Sequence, residues 1–250
     1  MLLAADIGNT TVSFGVFSGN ELVFSKKISS EKQADYSHYL FKINEILSEY
    51  KEINKCIISS VVPELTDKIA LAVKTVTAIE PIFAGAENHC GFSTDILPVC
   101  EIGSDLVAAS VGAAEKYGVP CLVADLGTAT KILVIDKDKK FLGCTIAPGM
   151  KISLDALFNG ASLLSETELS KPQRHVGRNT TECIQSGVVN GTAAMIDGMF
   201  RRITKETQFQ NPFLIVTGGN GKFVADCFEE KIIFDENLVL YGLKAIAEGS

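Results

Sequence analysis

No run of basic residues in this chain is longer than two, as at Lys26-Lys27 and Arg201-Arg202, and 23 Lys and Arg against 30 Asp and Glu leave a formal charge of -7. That excludes the basic stripe with which a protein neutralises a nucleic-acid backbone, so no nucleic-acid partner is expected. Any anion it binds must be held locally, by backbone amides, a metal and a few lysines. Cysteines at metal or redox spacing are missing too: the seven, Cys56, Cys90, Cys100, Cys121, Cys144, Cys183 and Cys227, are odd in number and none belongs to a Cys-x-x-Cys. A disulfide framework and a zinc site are thereby excluded, and buried thiols of a reducing compartment are expected. Histidine is scarce, and His89-Cys90 has only His38 and His175 for company, so it reads as loop rather than as a ligand pair. Long apolar runs are also lacking. Asp6 interrupts the start, which has no basic residues before it, so neither a signal peptide nor a membrane span is expected, and the location expected is cytoplasmic.

What is present is one phrase stated twice: Ala5-Asp6-Ile7-Gly8-Asn9-Thr10, and Ala124-Asp125-Leu126-Gly127-Thr128-Ala129-Thr130. Each follows an apolar run, Met1 to Ala5 or Pro120 to Ala124, that reads as a buried strand ending in a carboxylate, a glycine and small polar residues. Glycine lets backbone N–H groups approach an anion, the hydroxyls add donors, and an aspartate at the strand tip can hold a cation that neutralises the anion. The chemistry indicated is a polyphosphate held with a divalent metal between two lobes. With 250 residues, 46% of them hydrophobic, the chain can bury the core of one large or two medium domains.

The repeat extends past the phrase. Thr11 to Phe17, a turn at Ser18 to Asn20 and Glu21 to Phe24 alternate like a hairpin, and Lys131 to Asp136, a turn at Lys137 to Lys140 and Phe141 to Ile146 follow the same plan. Ser30-Glu31-Lys32-Gln33 has capping-box form ahead of a helical face of Tyr36, Leu40, Ile43, Leu47 and Tyr50. Further helices are expected from Pro63, from Ser104 to Tyr117, from Asn179 to Ile203 with loosening at Gly187, Gly191 and Gly198, and from about Asn237. Strands are expected at Cys56 to Val62, Pro81 to Ala84, Phe213 to Thr217 and Ile232 to Phe234, with an irregular stretch from Gly85 to Gly103. This is an α/β chain of two similar lobes, 1–112 and 113–250, each a mixed five-stranded sheet with helices, with a cleft between them.

Asp6-Ile7-Gly8-Asn9-Thr10, Asp125-Leu126-Gly127-Thr128-Ala129-Thr130 and Thr217-Gly218-Gly219 together resemble the acetate kinase, sugar kinase, Hsp70 and actin superfamily, which implies duplicated ribonuclease H-like, actin-like ATPase lobes. With Ile58 to Pro63, Gly103-Ser104-Asp105, Ile146 to Gly149, Gly177 to Thr180 and Gln185-Ser186-Gly187, their order resembles type III pantothenate kinase over essentially the whole chain. The resemblance implies transfer of the γ-phosphate of ATP to the primary hydroxyl of pantothenate, the first step toward coenzyme A. It implies a first phosphate loop of Asp6, Ile7, Gly8, Asn9, Thr10, Thr11, Val12 and Ser13, with Asp6 on Mg2+ through water. Gly127 and Thr128 would bind phosphate, Gly218 and Gly219 would lie near adenosine, and Asp125 would ligand a monovalent cation, K+ or NH4+. Gly103, Ser104, Asp105, Leu106 and Thr180 would meet pantothenate, Asp105 as the base, in a homodimer. Phosphoryl transfer asks mainly for alignment, charge neutralisation and one carboxylate to orient the nucleophile.

Plainer readings stand beside these: Asp6 and Asp125 as turn formers, Asp105 as a first-turn acid, Thr180 as a first-turn or capping hydroxyl, Gly218-Gly219 as a turn and Lys131 as a cation on phosphate or a snorkelling side chain. The chain also departs from the family, with Leu106 where an arginine is usual, Leu97-Pro98-Val99-Cys100-Glu101 and Gly160-Ala161-Ser162-Leu163-Leu164 in place of other phrases, and Lys131 in place of a hydroxyl residue. Three functions therefore remain open: a pantothenate kinase with altered acceptor contacts, a kinase for another small hydroxy acid, and a non-catalytic nucleotide-binding paralogue acting as a regulator.

Overall fold

From Leu2 to Ile7 every side chain but Asp6 is buried, as an apolar run must be if it is to lie between neighbours on both edges and both faces. In this computed structural model, which describes residues 1–50, 52–86, 92–161, 163–164 and 166–249, that run is strand β1 (Leu2–Ile7). It pairs antiparallel with β2 (Thr11–Ser18) and parallel with β4 (Lys55–Ser60). With β3 (Glu21–Ser29) and β5 (Ile82–Phe83) they form a sheet in the order β3-β2-β1-β4-β5. Helices α1 (Tyr36–Leu47) and α2 (Pro63–Thr77) close one face, where Tyr39, Ile43, Leu65, Ile69 and Val73 join Leu3, Ala5 and Ile7 in a single core. Pro63 opens α2 at a position whose N–H would have no helical partner in any case.

The expected capping box at Ser30 is not formed. Ser30 Oγ instead donates to the Gly8 carbonyl at 2.6 Å, and α1 is capped five residues later, where the Asp35 side chain accepts the His38 N–H at 3.0 Å. The carbonyl at the end of the first strand competes for the serine that local spacing assigned to the helix.

A two-residue strand β6 (Ser93–Thr94) and a short 3-10 turn at Val99–Glu101 precede α3 (Ser104–Lys116). The chain then enters a second unit and returns. Met1–Lys116 and Leu238–Ser250 constitute one unit, and Tyr117–Asn237 the other. The partition read from the sequence as 1–112 and 113–250 therefore differs in its last segment: the terminal helix α7 (Leu238–Gly249) belongs with the first unit. Small residues explain the attachment. A Cβ on Gly242 would lie 1.7 Å from the Ala108 carbonyl oxygen, and one on Gly112 would lie 2.6 Å from that of Leu238, so α3 and α7 touch backbone to backbone. Tyr241 adds an edge-on contact with Phe17 at 5.3 Å and carries the Lys116 ammonium over its ring.

The second unit repeats the plan of the first. Its strands run β11 (Ile233–Phe234), β10 (Phe213–Thr217), β7 (Cys121–Leu126), β8 (Ala129–Ile135), β9 (Lys140–Pro148), with β7 antiparallel to β8 and parallel to β10. Even the irregularities recur: the register shifts at Val16/Phe17 in the first meander and at Val134/Ile135 in the second. One feature differs. Ile7 pairs with Val12, whereas Leu126 pairs with Thr130, so the second hairpin turn is one residue shorter. Helix α5 (Thr180–Thr207) runs through Gly187, Gly191 and Gly198 without a break, and its Val189, Ala193, Ile196 and Phe200 cover Leu122, Ala124 and Leu126. Ile184 is buried and Val188 packs on this core, which leaves Met195 alone exposed of the three apolar residues considered for a twin. Helix α4 (Met150–Gly160), which no periodicity announced, follows β9, and the single turn α6 (Gly221–Val224) follows β10.

Candidate functional site

Asp6 stands one residue from the end of β1, half-buried, with Ser13 of β2 opposite it and Ser59 of β4 beside it on the parallel side. The turn that follows is closed by the Gly8 N–H, which donates to the Thr11 carbonyl at 3.0 Å. That N–H is therefore used inside the turn, and any anion would be met by the other groups of the loop. Gly8 serves compactness, since a Cβ there would stand 3.1 Å from the Thr11 oxygen. What the turn presents to solvent is Asn9, Thr10 and Thr11, while Ile7 and Val12 have fully buried side chains and can act only through their main chain. Two residues outside the phrase brace it: Ser30 through the Gly8 carbonyl, and Lys32, whose ammonium lies 3.1 Å from Asn9 Oδ1. Lys32 brings a positive charge to the turn from 23 positions away in sequence, a link that local pattern does not reveal.

The Gly103-Ser104-Asp105-Leu106 segment is tied to the same end of the same sheet. The buried Ser104 hydroxyl donates to the Ser60 carbonyl, accepts the Ser60 N–H and lies beside Ser59 Oγ, each at 3.0 Å. Ser59 and Ser60 are the register neighbours of Asp6 and Ile7, so three hydrogen bonds from one serine fix Asp105 at the strand end that carries Asp6. Asp105 occupies the first turn of α3, where the helix dipole favours a carboxylate, and the Leu106 N–H donates to its Oδ1 at 2.9 Å. Gly103 makes room for it: a Cβ at 103 would lie 2.5 Å from that oxygen.

The second turn is gripped harder. Gly127 N–H donates to the Ala129 carbonyl at 3.1 Å, so it too is spent within its turn, and Thr128 is exposed at the tip. Gly149, just ahead of α4, comes so close that a Cβ would sit 2.2 Å from the Thr128 carbonyl oxygen. From the other side Gly218, with φ of 91°, would place a Cβ 2.6 Å from the Leu126 oxygen, which requires glycine on both counts. Asn220 completes the clasp, its N–H on the Leu126 carbonyl at 3.1 Å and its Nδ2 on that of Gly127 at 3.2 Å. The structure thus brings together Asp125, Gly127, Thr128, Gly218 and Gly219, which the sequence places some 90 residues apart. Beside Asp125, Thr217 has a buried hydroxyl with no partner among the described residues. On the hairpin side the Lys131 ammonium lies 3.0 Å from Asp125 Oδ2, with 15% and 14% of the two side chains exposed.

Thr180 opens α5 and is exposed, but it is not the cap: Asn179 accepts the Glu182 N–H, and the Glu182 carboxylate takes the Arg178 N–H, both at 2.9 Å. His89 and Cys90 lie outside the described residues. Burial pushes the Cys121 thiol up to about 12 and that of Cys56 to about 11, so both are inert at neutral pH, whereas Cys100, Cys144 and Cys183 are exposed. Among the described residues no three His, Cys, Asp or Glu side chains converge on a metal position. A divalent cation would accordingly be held by one carboxylate and the oxygens of a ligand, the usual manner of Mg2+ with phosphates. Asp6 fits that role, with hydroxyl-bearing Ser13 and Ser59 on either side.

A family model described as type III pantothenate kinase matches residues 2–202. A type III pantothenate kinase of Roseiflexus sp. (strain RS-1) is 34% identical over 252 residues, covering 99% of this chain and 98% of that protein. Among solved structures, the (R)-2-hydroxyglutaryl-CoA dehydratase component A of Acidaminococcus fermentans superposes with a TM-score of 0.59 at 14% identity, covering 98% of this chain and 95% of that one. MreB 5 of Spiroplasma citri, solved bound to AMPPNP, gives 0.55 at 12% identity and covers 99% and 96%. These two likenesses show the fold, that of the actin-like ATPases and sugar kinases.

Proposed function

The chain belongs to the type III pantothenate kinase family, and from that membership and the geometry of its turns we infer that it transfers the γ-phosphoryl group of ATP to the primary hydroxyl of pantothenate, the first step of coenzyme A synthesis. Asp105 takes the hydroxyl proton as the new P–O bond forms and ADP leaves with the old one. Asp6 to Ser13 form the first phosphate loop, Gly127 and Thr128 bind phosphate from the second, Gly218 and Gly219 lie against adenosine, and Asp6 would hold Mg2+ through water, which would supply charge neutralisation for the phosphates. Gly103, Ser104, Leu106 and Thr180 receive the acceptor. A homodimer and a monovalent cation at Asp125 are the remaining expectations of the family, and a cytoplasmic location is that of the composition. Among the described residues no helix is long and apolar enough to cross a membrane.

The observation that carries the reading is the placement of Asp105. Phosphoryl transfer needs one carboxylate at the acceptor and another near the metal, both on rigid supports. The Ser104 hydroxyl, bonded to two consecutive residues of β4, supplies that rigidity at the strand end beside Asp6. The exposed Thr10, Thr11 and Thr128 offer hydroxyl donors suited to phosphate oxygens.

One feature favours a second reading. Leu106 cannot form the bidentate bond that an arginine makes with a carboxylate, so the acceptor could be a hydroxylated compound other than pantothenate. Incubation with ATP and Mg2+, with and without pantothenate, followed by ADP measurement and mass spectrometry of the product, separates the cases. ADP formed in step with phosphopantothenate is expected. Tight ATP binding with no pantothenate-dependent turnover would overturn the reading and favour a regulator, or a kinase of another hydroxy acid if a panel of such acids restores ADP release.

A further inference from the structure

The duplicated turns allow one half of the molecule to be compared with the other, and they differ at the residue facing the tip carboxylate. Across each hairpin the register sets Ser13 opposite Asp6 and Lys131 opposite Asp125, while on the parallel side each carboxylate has a hydroxyl neighbour, Ser59 or Thr217. The first carboxylate thus has a hydroxyl residue on each neighbouring strand, oxygens of the kind that suit a hard cation. The second has an ammonium 3.0 Å from its Oδ2, from a lysine only 15% exposed, which is too enclosed for a side chain merely extending its charge into water.

We propose that Lys131 supplies from within the chain the single positive charge that the family resemblance assigns to a potassium or ammonium ion at Asp125, so that nucleotide binding by this protein does not depend on a monovalent cation. The proposal rests on the ATP-binding role assigned above to the turn that follows Asp125. The lysine head is itself an ammonium, with the charge of K+ or NH4+, and it is carried by the opposing strand, so it need not be recruited from solution. The far side of the carboxylate is also closed, because Gly218 approaches so nearly that a Cβ there would stand 2.7 Å from Oδ1. An ion added beside the ammonium, about 4 Å from it, would meet a repulsion that weakens its binding by on the order of a thousandfold in the partly screened surroundings of a protein surface. Asp125 as the ligand of a dissolved K+ or NH4+ thus does not fit the residues present. Replacing Lys131 with serine would recreate the arrangement of the first turn, a carboxylate with a hydroxyl on each side, and would open the position to such an ion.

The test compares the unaltered protein with Lys131→Ser, using Lys131→Met as a second variant that retains most of the side-chain stem. Affinity for MgATP is measured by calorimetry, and thermal midpoint by fluorescence, in 100 mM KCl and in choline chloride of equal ionic strength. The unaltered protein is expected to bind ATP equally, within about twofold, in both salts. Lys131→Ser is expected to bind at least tenfold more weakly in choline and to recover most of the loss in potassium, with a raised midpoint. Potassium tightening ATP binding to the unaltered protein fivefold or more would overturn the proposal, as would a Lys131→Ser protein indifferent to potassium in both affinity and midpoint. Absence of any ATP binding would instead overturn the kinase reading, and the response of the variants' midpoints to potassium would still decide the role of Lys131.

Discussion

Replacing Gly149 by alanine applies pressure at one point of the second turn. The residue has φ of -70° and ψ of 164°, which alanine adopts without strain, so the only new element is the methyl group itself. That methyl would be placed 2.2 Å from the Thr128 carbonyl oxygen and 2.8 Å from both the Thr128 carbonyl carbon and the Gly127 oxygen, whereas ordinary contact begins at 3.4 Å. All three atoms are main chain and cannot rotate away. The gap must open by the difference, 3.4 minus 2.2, or 1.2 Å. A misplacement of about 1 Å at a positioning group can lower catalysis by roughly a hundredfold. Overpacking of this kind also destabilises by about 1–3 kcal/mol, a fall of roughly 2–12 °C in midpoint for a chain of this size. Initial rates with MgATP varied should therefore show kcat/KM for ATP reduced by about two orders of magnitude, in a protein that still melts cooperatively. The control is Gly198→Ala, since a Cβ there meets no atom within 4 Å: its rates should be unaltered and its midpoint equal or higher, because alanine is favoured over glycine inside a helix. Gly149→Ala kinetics within about threefold of the unaltered protein would refute the assignment of the Gly127-Thr128 turn to the nucleotide.

Asp105→Asn keeps the shape of the side chain and removes the base, so turnover should fall by roughly 10²–10⁴-fold while ATP affinity is held; an unchanged steady-state rate would remove Asp105 from that role. Alkaline pH should destabilise the fold through its buried thiols. Burial raises Cys121 to about 12 and Cys56 to about 11 from an ordinary 9.0, so on raising the pH the unfolded chain loses these protons first. Their contribution is complete below pH 9 and is lost as pH climbs from there toward the folded values. Urea midpoints between pH 8 and 11 should thus decline less steeply for Cys121→Ala than for the unaltered protein, and parallel declines would contradict the assignment.

Much of this architecture could be read in the chain because it is written in short-range terms. Glycine and hydroxyl residues punctuate both strand tips, Pro63 marks the start of α2, and alternating burial marks β3 and β9, the outer strands of the meanders. What escaped notice depends on partners distant in sequence. Ser30 looked like a helix cap because its competitor, the Gly8 carbonyl, lies 22 positions away. The place of α7 is decided by Gly112, Ala108 and Gly242 meeting, and none of the three signals this alone. Counting forward from the two aspartates pairs Lys131 with the buried Val12. Only the shorter second turn, visible in the register, moves it into the position of Ser13 and reveals an ammonium where the other copy has a hydroxyl.

The return of α7 to the first unit bears on how the protein is made. β1 is translated before the second unit, yet the cover formed by Leu240, Leu243 and Ile246 is translated only after all of Tyr117–Asn237. The second unit is continuous in the chain and can be completed during synthesis, whereas the first must wait with part of its sheet bare. The usual order, in which the earlier portion matures before the later one, is thereby inverted: the unit begun before the other is completed after it, when α7 docks.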